Sequence, residues 1–262
     1  MHTIRVSFSI AFLLICAVIV VPGAAAPDVS PPLYKTSTLI GRAVENPHGN
    51  ELGQISDVII EATTGNVAYA VLTSGGFVGL GGKLFAIPWR ALQQPTSTKA
   101  LRLDMTEEQL KQAPGFDKDQ WPDLEDRHWG DTVHAYYGQP PYWGQHLPPK
   151  TSREAEEQVA QRLLKASHVL KSEVMNPHGQ WLGDIEEVVI DTAAGKVAYA
   201  VLSARKEWLG LGEKWFAIPW HTLQQSEGLG TFTLDVDKET LQKAPGFDKD
   251  NWPNRATTRW AG

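Results

Sequence analysis

The sequence predicts an all-β protein with short helices, organised as two tandem small antiparallel β-barrels. An internal repeat, apolar runs of strand length and the turn residues between them carry that expectation. Residues 46–72 (NPHGNELGQISDVIIEATTGNVAYAVL) return 130 positions later as 176–202, with 16 of 27 positions identical. Farther along, 83–94 matches 214–225 at 9 of 12 positions and 113–122 matches 244–253 at 9 of 10, now at an offset of 131. Stacked repeats have periods of about 20–50 residues, so a period near 130 predicts two whole domains, each with its own core.

Within the first copy the expected strands are Leu39–Glu45, Leu52–Glu61, Val67–Ser74, Lys83–Pro88 and Ala100–Leu103. They are dense in Val, Ile and Tyr and separated by turn chemistry, the pattern of a small barrel or sandwich. Asn46-Pro47-His48-Gly49 places Asn, Pro and Gly where a type I turn wants them, and Gly65 and Gly195 serve the next hairpin. Pro88 and Pro219 forfeit a ladder donor, so "AIPW" marks a strand end or edge, with the following Trp plugging the barrel. Thr106-Glu107-Glu108-Gln109 is a capping box opening a short helix, and Asp237 starts its equivalent.

The N-terminus has another character. Arg5 leads into twelve apolar residues, Ile10–Val21, then Pro22, Gly23 and Ala24–Ala26, the layout of a secretory signal peptide ending near residue 25. The rival reading is an N-terminal membrane anchor, but Val6–Val21 falls short of the roughly 20 residues needed to span a bilayer. Cleavage removes Cys16 and Arg5, leaving 23 basic against 30 acidic side chains, a balance of −7 and no disulfide. That charge argues against nucleic acid as a partner.

Between the copies, 123–150 is rich in Pro, Gly, Tyr and Trp and shows no period, and its aromatics are expected to pack on a barrel. Thr151–Glu154 is a further capping box, predicting a connecting helix to about Ser167. The expected boundaries are a signal segment at 1–25, a first barrel with its extension at 35–122, the aromatic-rich segment and helix at 123–167, and a second barrel with its extension at 168–254.

The stretches Leu39–Leu103 and His168–Leu234 resemble the PRC-barrel family, named for the cytoplasmic part of the photosynthetic reaction-centre H subunit. The matching positions are Gly41, Gly53, Ile55, Gly65, Tyr69, Gly79, Gly81, Pro88 and Trp89, and Gly183, Ile185, Gly195, Tyr199, Gly210, Gly212, Pro219 and Trp220 in the second copy, where Ser172 is read in place of Gly41. These are turn and core positions, so the resemblance specifies fold far more than function. It implies a six-stranded antiparallel barrel serving as an adaptor surface, with no catalytic residues.

No chemical constellation competes with that reading. Gly75–Lys83 fails as a phosphate loop because Leu84 follows the lysine. His48 and His178 sit in equivalent turns, and His128, His134 and His146 lack zinc spacing, so no metal or other cofactor is expected. Asp57, Glu61, Glu187 and Asp191 alternate along strands, which predicts a solvent face or an acidic surface for a basic partner. The copies differ where Glu51, Phe77 and Leu84 become Trp181, Trp208 and Trp215. With Tyr136, Tyr137 and Trp143 of the linking segment, these tryptophans are the candidate partner-binding residues, the other reading being interdomain packing.

The functional expectation is an exported, periplasmic, non-catalytic adaptor of the bacterial envelope that binds a protein partner. The second reading is an accessory subunit in peripheral association with a membrane redox or photosynthetic complex, using the acidic face to tune proton or electron transfer.

Overall fold

The computed structural model describes residues 33–74, 82–93, 100–145, 162–204, 214–226 and 230–253. The signal segment, Trp208 and the Thr151–Glu154 box lie outside them. None of the helices among the described residues is long and apolar enough to cross a membrane.

The first copy contains β1 (Leu33–Lys35), α1 (Thr36–Leu39), β2 (Ala43–Glu45), β3 (Glu51–Glu61), β4 (Val67–Thr73), β5 (Leu84–Pro88), β6 (Leu92–Gln93), β7 (Leu101–Leu103), α2 (Glu107–Gln112) and β8 (Gly115–Phe116). Then come α3 (Arg127–Tyr136), β9 (Leu163–Lys165) and α4 (Ala166–Val169). The second copy continues with β10 (Glu173–Met175), β11 (Trp181–Asp191), β12 (Lys196–Ala204), β13 (Lys214–Ile218), β14 (Leu223–Gln225), β15 (Thr231–Leu234) and α5 (Lys238–Lys243).

Each copy curls one sheet into a half-barrel, in the order β6-β7-β2-β3-β4-β5-β8 and β13-β12-β11-β10-β15-β14. The pairings are antiparallel except β2 with β7 and β10 with β15, which are parallel and return the chain across the barrel. The hairpin turn forms as expected: Gly49 N donates to Asn46 O at 3.0 Å, while the Asn46 side chain accepts from His48 N and Asn50 N. Both reciprocal bonds of the Thr106/Gln109 capping box are present. Where Gly41 turns the first chain at φ +86°, the equivalent residue is Lys171 at φ +66°, not Ser172, which occupies the place of Arg42. A lysine in this left-handed region costs roughly 1 kcal/mol that glycine avoids.

The copies are not separate bodies. β1 leaves its own barrel and pairs antiparallel with β11 of the second copy, Leu33 opposite Asp191. β9 does the same in return on β3, Leu163 opposite Glu61. Leu163–Lys165, expected to lie in the connecting helix, are therefore a strand, because β3 is 11 residues long and its far end needs a partner. The core is shared as well: Val58, Ile60 and Trp89 belong to one continuous apolar cluster with Val188, Ile190 and Trp220. This corrects the expectation of a self-contained core in each copy.

The exchange predicts how one copy behaves alone. Residues 33–39 (LYKTSTL) and 163–169 (LLKASHV) share Leu, Lys and Ser, so in a fragment dimer Ser37 would offer Asp57 the amide and hydroxyl that Ser167 offers it, with Thr36 in place of Ala166. Residues 31–145 expressed by themselves should dimerise by placing each β1 on the other molecule's β3. Light scattering should read twice the fragment mass; a folded monomer would show that the exchanged strand is dispensable.

Candidate functional site

The junction between the copies is organised by two carboxylates at β-bulges. β3 slips register between Ile55 and Asp57, and β11 between Ile185 and Glu187, which turns these acids inward. Asp57 accepts from Val58 N at 2.8 Å, from Ser167 N at 3.1 Å and from Ser167 Oγ at 2.5 Å. Glu187 accepts from Val188 N, Ser37 N and the Ser37 hydroxyl, and from Thr36 Oγ1 at 2.6 Å. Each acid thus clamps the first turn of the short helix that follows the exchanged strand. The extra methylene of Glu187 is matched by Thr36, which stands where the other junction has Ala166.

The expected acidic surface does not exist in that form. Asp57, Glu61 and Glu187 are 6%, 1% and 5% exposed, so they are internal structural acceptors and not a face for a basic partner. Glu61 accepts from Thr64 Oγ1 and Asn66 Nδ2, and half-buried Asp191 accepts from Ala194 N, both bracing hairpin turns. Two bulges in each long strand break the alternation that would have kept these acids on the solvent face.

A pseudo-two-fold axis passes between the β3–β4 and β11–β12 hairpins. Val67 N donates to Gly195 O at 2.9 Å, and Val197 N to Gly65 O at 2.8 Å. Trp89 does not simply plug its own barrel: its indole N–H donates to Thr192 O at 3.2 Å, and Trp220 answers with Ala62 O at 2.9 Å. A Cβ on Gly65 would stand 2.7 Å from Trp220, and one on Gly195 2.9 Å from Trp89, so these turns are glycine for close approach as well as for φ.

What breaks the symmetry is the aromatic layer between the copies. α3 is capped by Asp126, whose side chain accepts from His128 N, and ends at Gly138 with φ +61°. The segment is not aperiodic, as the sequence suggested. Trp129, Val133 and Tyr137 recur every four residues beside Gly130 and His134, laying one face of α3 on Tyr69 of β4. Gly130 is the mid-helix cost of this packing, since a Cβ there would lie 2.5 Å from Trp143. Tyr142 stacks edge-on against both Tyr69 and Trp143.

This layer is dry. The Tyr69 hydroxyl is buried with no hydrogen-bond partner among the described residues, and the His134 ring is buried beside the backbone of Gln139 and Pro140. Burial drives the Tyr69 and Tyr142 phenols far above their ordinary range. Burial likewise holds the His134 imidazole neutral down to about 4, against an opposing pull from Asp131.

The candidate partner-binding residues divide. Trp215 is buried against Phe247 and Trp252, covering Tyr199 and Val201 on the outer face of the second sheet. Trp181 is half-buried at a hairpin tip, its indole donating to Asp184. Tyr137 and Trp143 are half-buried in the aromatic layer, whereas Tyr136 stays exposed, its hydroxyl bonded to Gln109 O. Two cation–π contacts escaped the sequence reading: Lys165 over Trp121 at 3.3 Å and, symmetrically, Lys35 over Trp252 at 3.5 Å. Each ties an exchanged strand to the "APGFDKDxWP" extension of the other copy. The repeat pattern carried this pairing, but only the exchange brings the partners together.

Comparison with known families matches the PRC-barrel domain to residues 31–110 and 163–241. No curated protein matches the chain.

Trp215→Ala should cost about 3–5 kcal/mol of stability, as for a large buried aromatic, whereas Trp181→Ala should stay within about 1 kcal/mol; denaturant melts of both variants check this. His134 predicts a pH effect. Its folded pKa is depressed to about 4 from 6.5, so its contribution is complete above about pH 6.5 and is lost as pH falls toward 4, where the unfolded chain binds the extra proton. The unfolding midpoint should therefore fall more steeply between those limits in the wild type than in His134→Gln. Equal slopes would show that His134 is not the titrating group.

Proposed function

Because the chain belongs to the PRC-barrel domain family, we propose that it is an exported, non-catalytic adaptor of the bacterial envelope that holds a protein partner. The observation carrying this reading is the way the duplication is used. Two barrels are locked into one body by exchanged strands, and the unrepeated part of the chain forms an aromatic layer on one of them. Duplication of this kind doubles a rigid surface without assembling a reacting centre.

Partner contact falls to the aromatics that the fold leaves accessible. Tyr136 is the large hydrophobic side chain standing exposed among the described residues, and Trp181 keeps part of its indole at a turn. Trp215 is removed from the candidates, since its indole is committed to Phe247 and Trp252. The accessory-subunit reading is not carried forward: it relied on an acidic face, and three of those four carboxylates are buried acceptors.

Export is supported by the charge and apolarity pattern of residues 1–25. The test is cell fractionation with mass measurement, followed by crosslinking in envelope extracts. The chain should appear outside the cytoplasm lacking about 25 N-terminal residues, and a crosslinked partner should be lost from Tyr136→Ser and Trp181→Ser while both variants keep the wild-type melt. A full-length cytoplasmic chain would refute export, and capture indifferent to both substitutions would refute the assigned surface.

A further inference from the structure

A cleft of about 370 Å³ opens where the two copies and the aromatic segment meet. Its size falls in the range of small-molecule sites, roughly 300–1,000 Å³. The first copy supplies Val67, Pro88 and Trp89, the second supplies the turn Thr192–Lys196, and His134, Pro140 and Tyr142 close the remaining side. The closing wall comes entirely from the unrepeated segment, which adds a third side to the groove at the pseudo-two-fold.

The charged side chains lining this cleft are cationic, although Asp131 acts on His134, Glu61 acts on Tyr142 and Asp191 accepts from Ala194 N. The protein carries 30 acidic and 24 basic side chains, yet the lining holds Arg90 and Lys196 and includes no carboxylate. Both cations are exposed, while Trp89 and Tyr142 are buried along the walls. At these positions the copies differ: Arg90 has His221 as its counterpart, and Lys196 has Asn66. The side bearing the aromatic wall is therefore also the side bearing Arg90. His134 adds a polar ring to the wall that Pro140 and Tyr142 complete.

We propose that this cleft binds a small organic anion with a flat apolar body, the body resting against the wall that includes Trp89 and Tyr142 and the anionic group beside Arg90 and Lys196. Such a ligand satisfies both halves of the lining. A neutral analogue forgoes the cations, and a cationic analogue meets them unfavourably. The site is separate from the protein-contact surface at Tyr136 and Trp181, so the two readings stand or fall independently.

Three naphthalene probes of like shape test it on the full chain: 1-naphthoate, 1-naphthalenemethanol and 1-naphthylmethylamine, titrated calorimetrically. The expected result is saturable one-to-one binding of naphthoate, about tenfold or more tighter than either analogue, a gap of about 1.4 kcal/mol. Lys196→Glu and Arg90→Glu should each weaken naphthoate about tenfold, with Arg90→Gln showing a smaller loss. In the double Glu variant the order of naphthoate and naphthylmethylamine should reverse. Circular dichroism confirms that each variant is folded. No saturable naphthoate binding, equal affinity for the three probes, or affinities unmoved by folded charge variants would each overturn the proposal.

Discussion

The structure depends on a reciprocal clamp. A carboxylate at a β-bulge in each long strand holds the first turn of the helix that follows the other copy's exchanged strand. Asp57 takes the amide and hydroxyl of Ser167, and Glu187 takes those of Ser37. Buried ionised groups are tolerable only when their lone pairs are filled, and each acid also accepts the amide that follows it in its own strand. Without the clamp, β1 and β9 are three-residue strands, too short to stay on a foreign sheet by ladder bonds alone. With it, the shared core, the crossed tryptophans and the lysine–tryptophan contacts all become possible.

Much of the fold was legible because it is local. The repeat, the Asx turn at Asn46, the capping box at Thr106 and the paired glycines state their geometry within a few residues, and the family's positions fall on turns and core. The exchange was not legible, because LYK and LLK read equally well on either sheet and nothing in a strand's sequence names its partner. The carboxylates were misread for a related reason. Alternation predicts exposure only for a regular strand, and a bulge moves every later side chain to the other face without leaving a mark in composition. α3 was overlooked although Asp126, Trp129, Val133 and Tyr137 carry its cap and its period. Proline and glycine on both sides masked a helix only ten residues long.

The two clamps are alike in geometry but not in residues, and the difference is compensated. Glutamate reaches a serine and a threonine; aspartate reaches a serine beside an alanine. Exchanging the acids alone would leave Thr36 without its acceptor in one junction and crowd Ala166 in the other. Chain copies that meet only each other can drift in this paired way, whereas identical subunits must use one sequence for both halves of a two-fold interface.

That freedom is what the aromatic segment exploits. A symmetric dimer of one barrel would carry the same groove on both sides of its axis, with the same charge at both mouths. Here Tyr69 of the first copy is roofed by α3 and Tyr142. Tyr199 at the equivalent place instead gives its hydroxyl to Pro253 O, and burial pushes it up to about 12. One barrel face is thus sealed by its own extension and the other by a helix that also walls a cleft. Fusing the copies keeps the stability of an isologous junction while permitting a single, one-sided site.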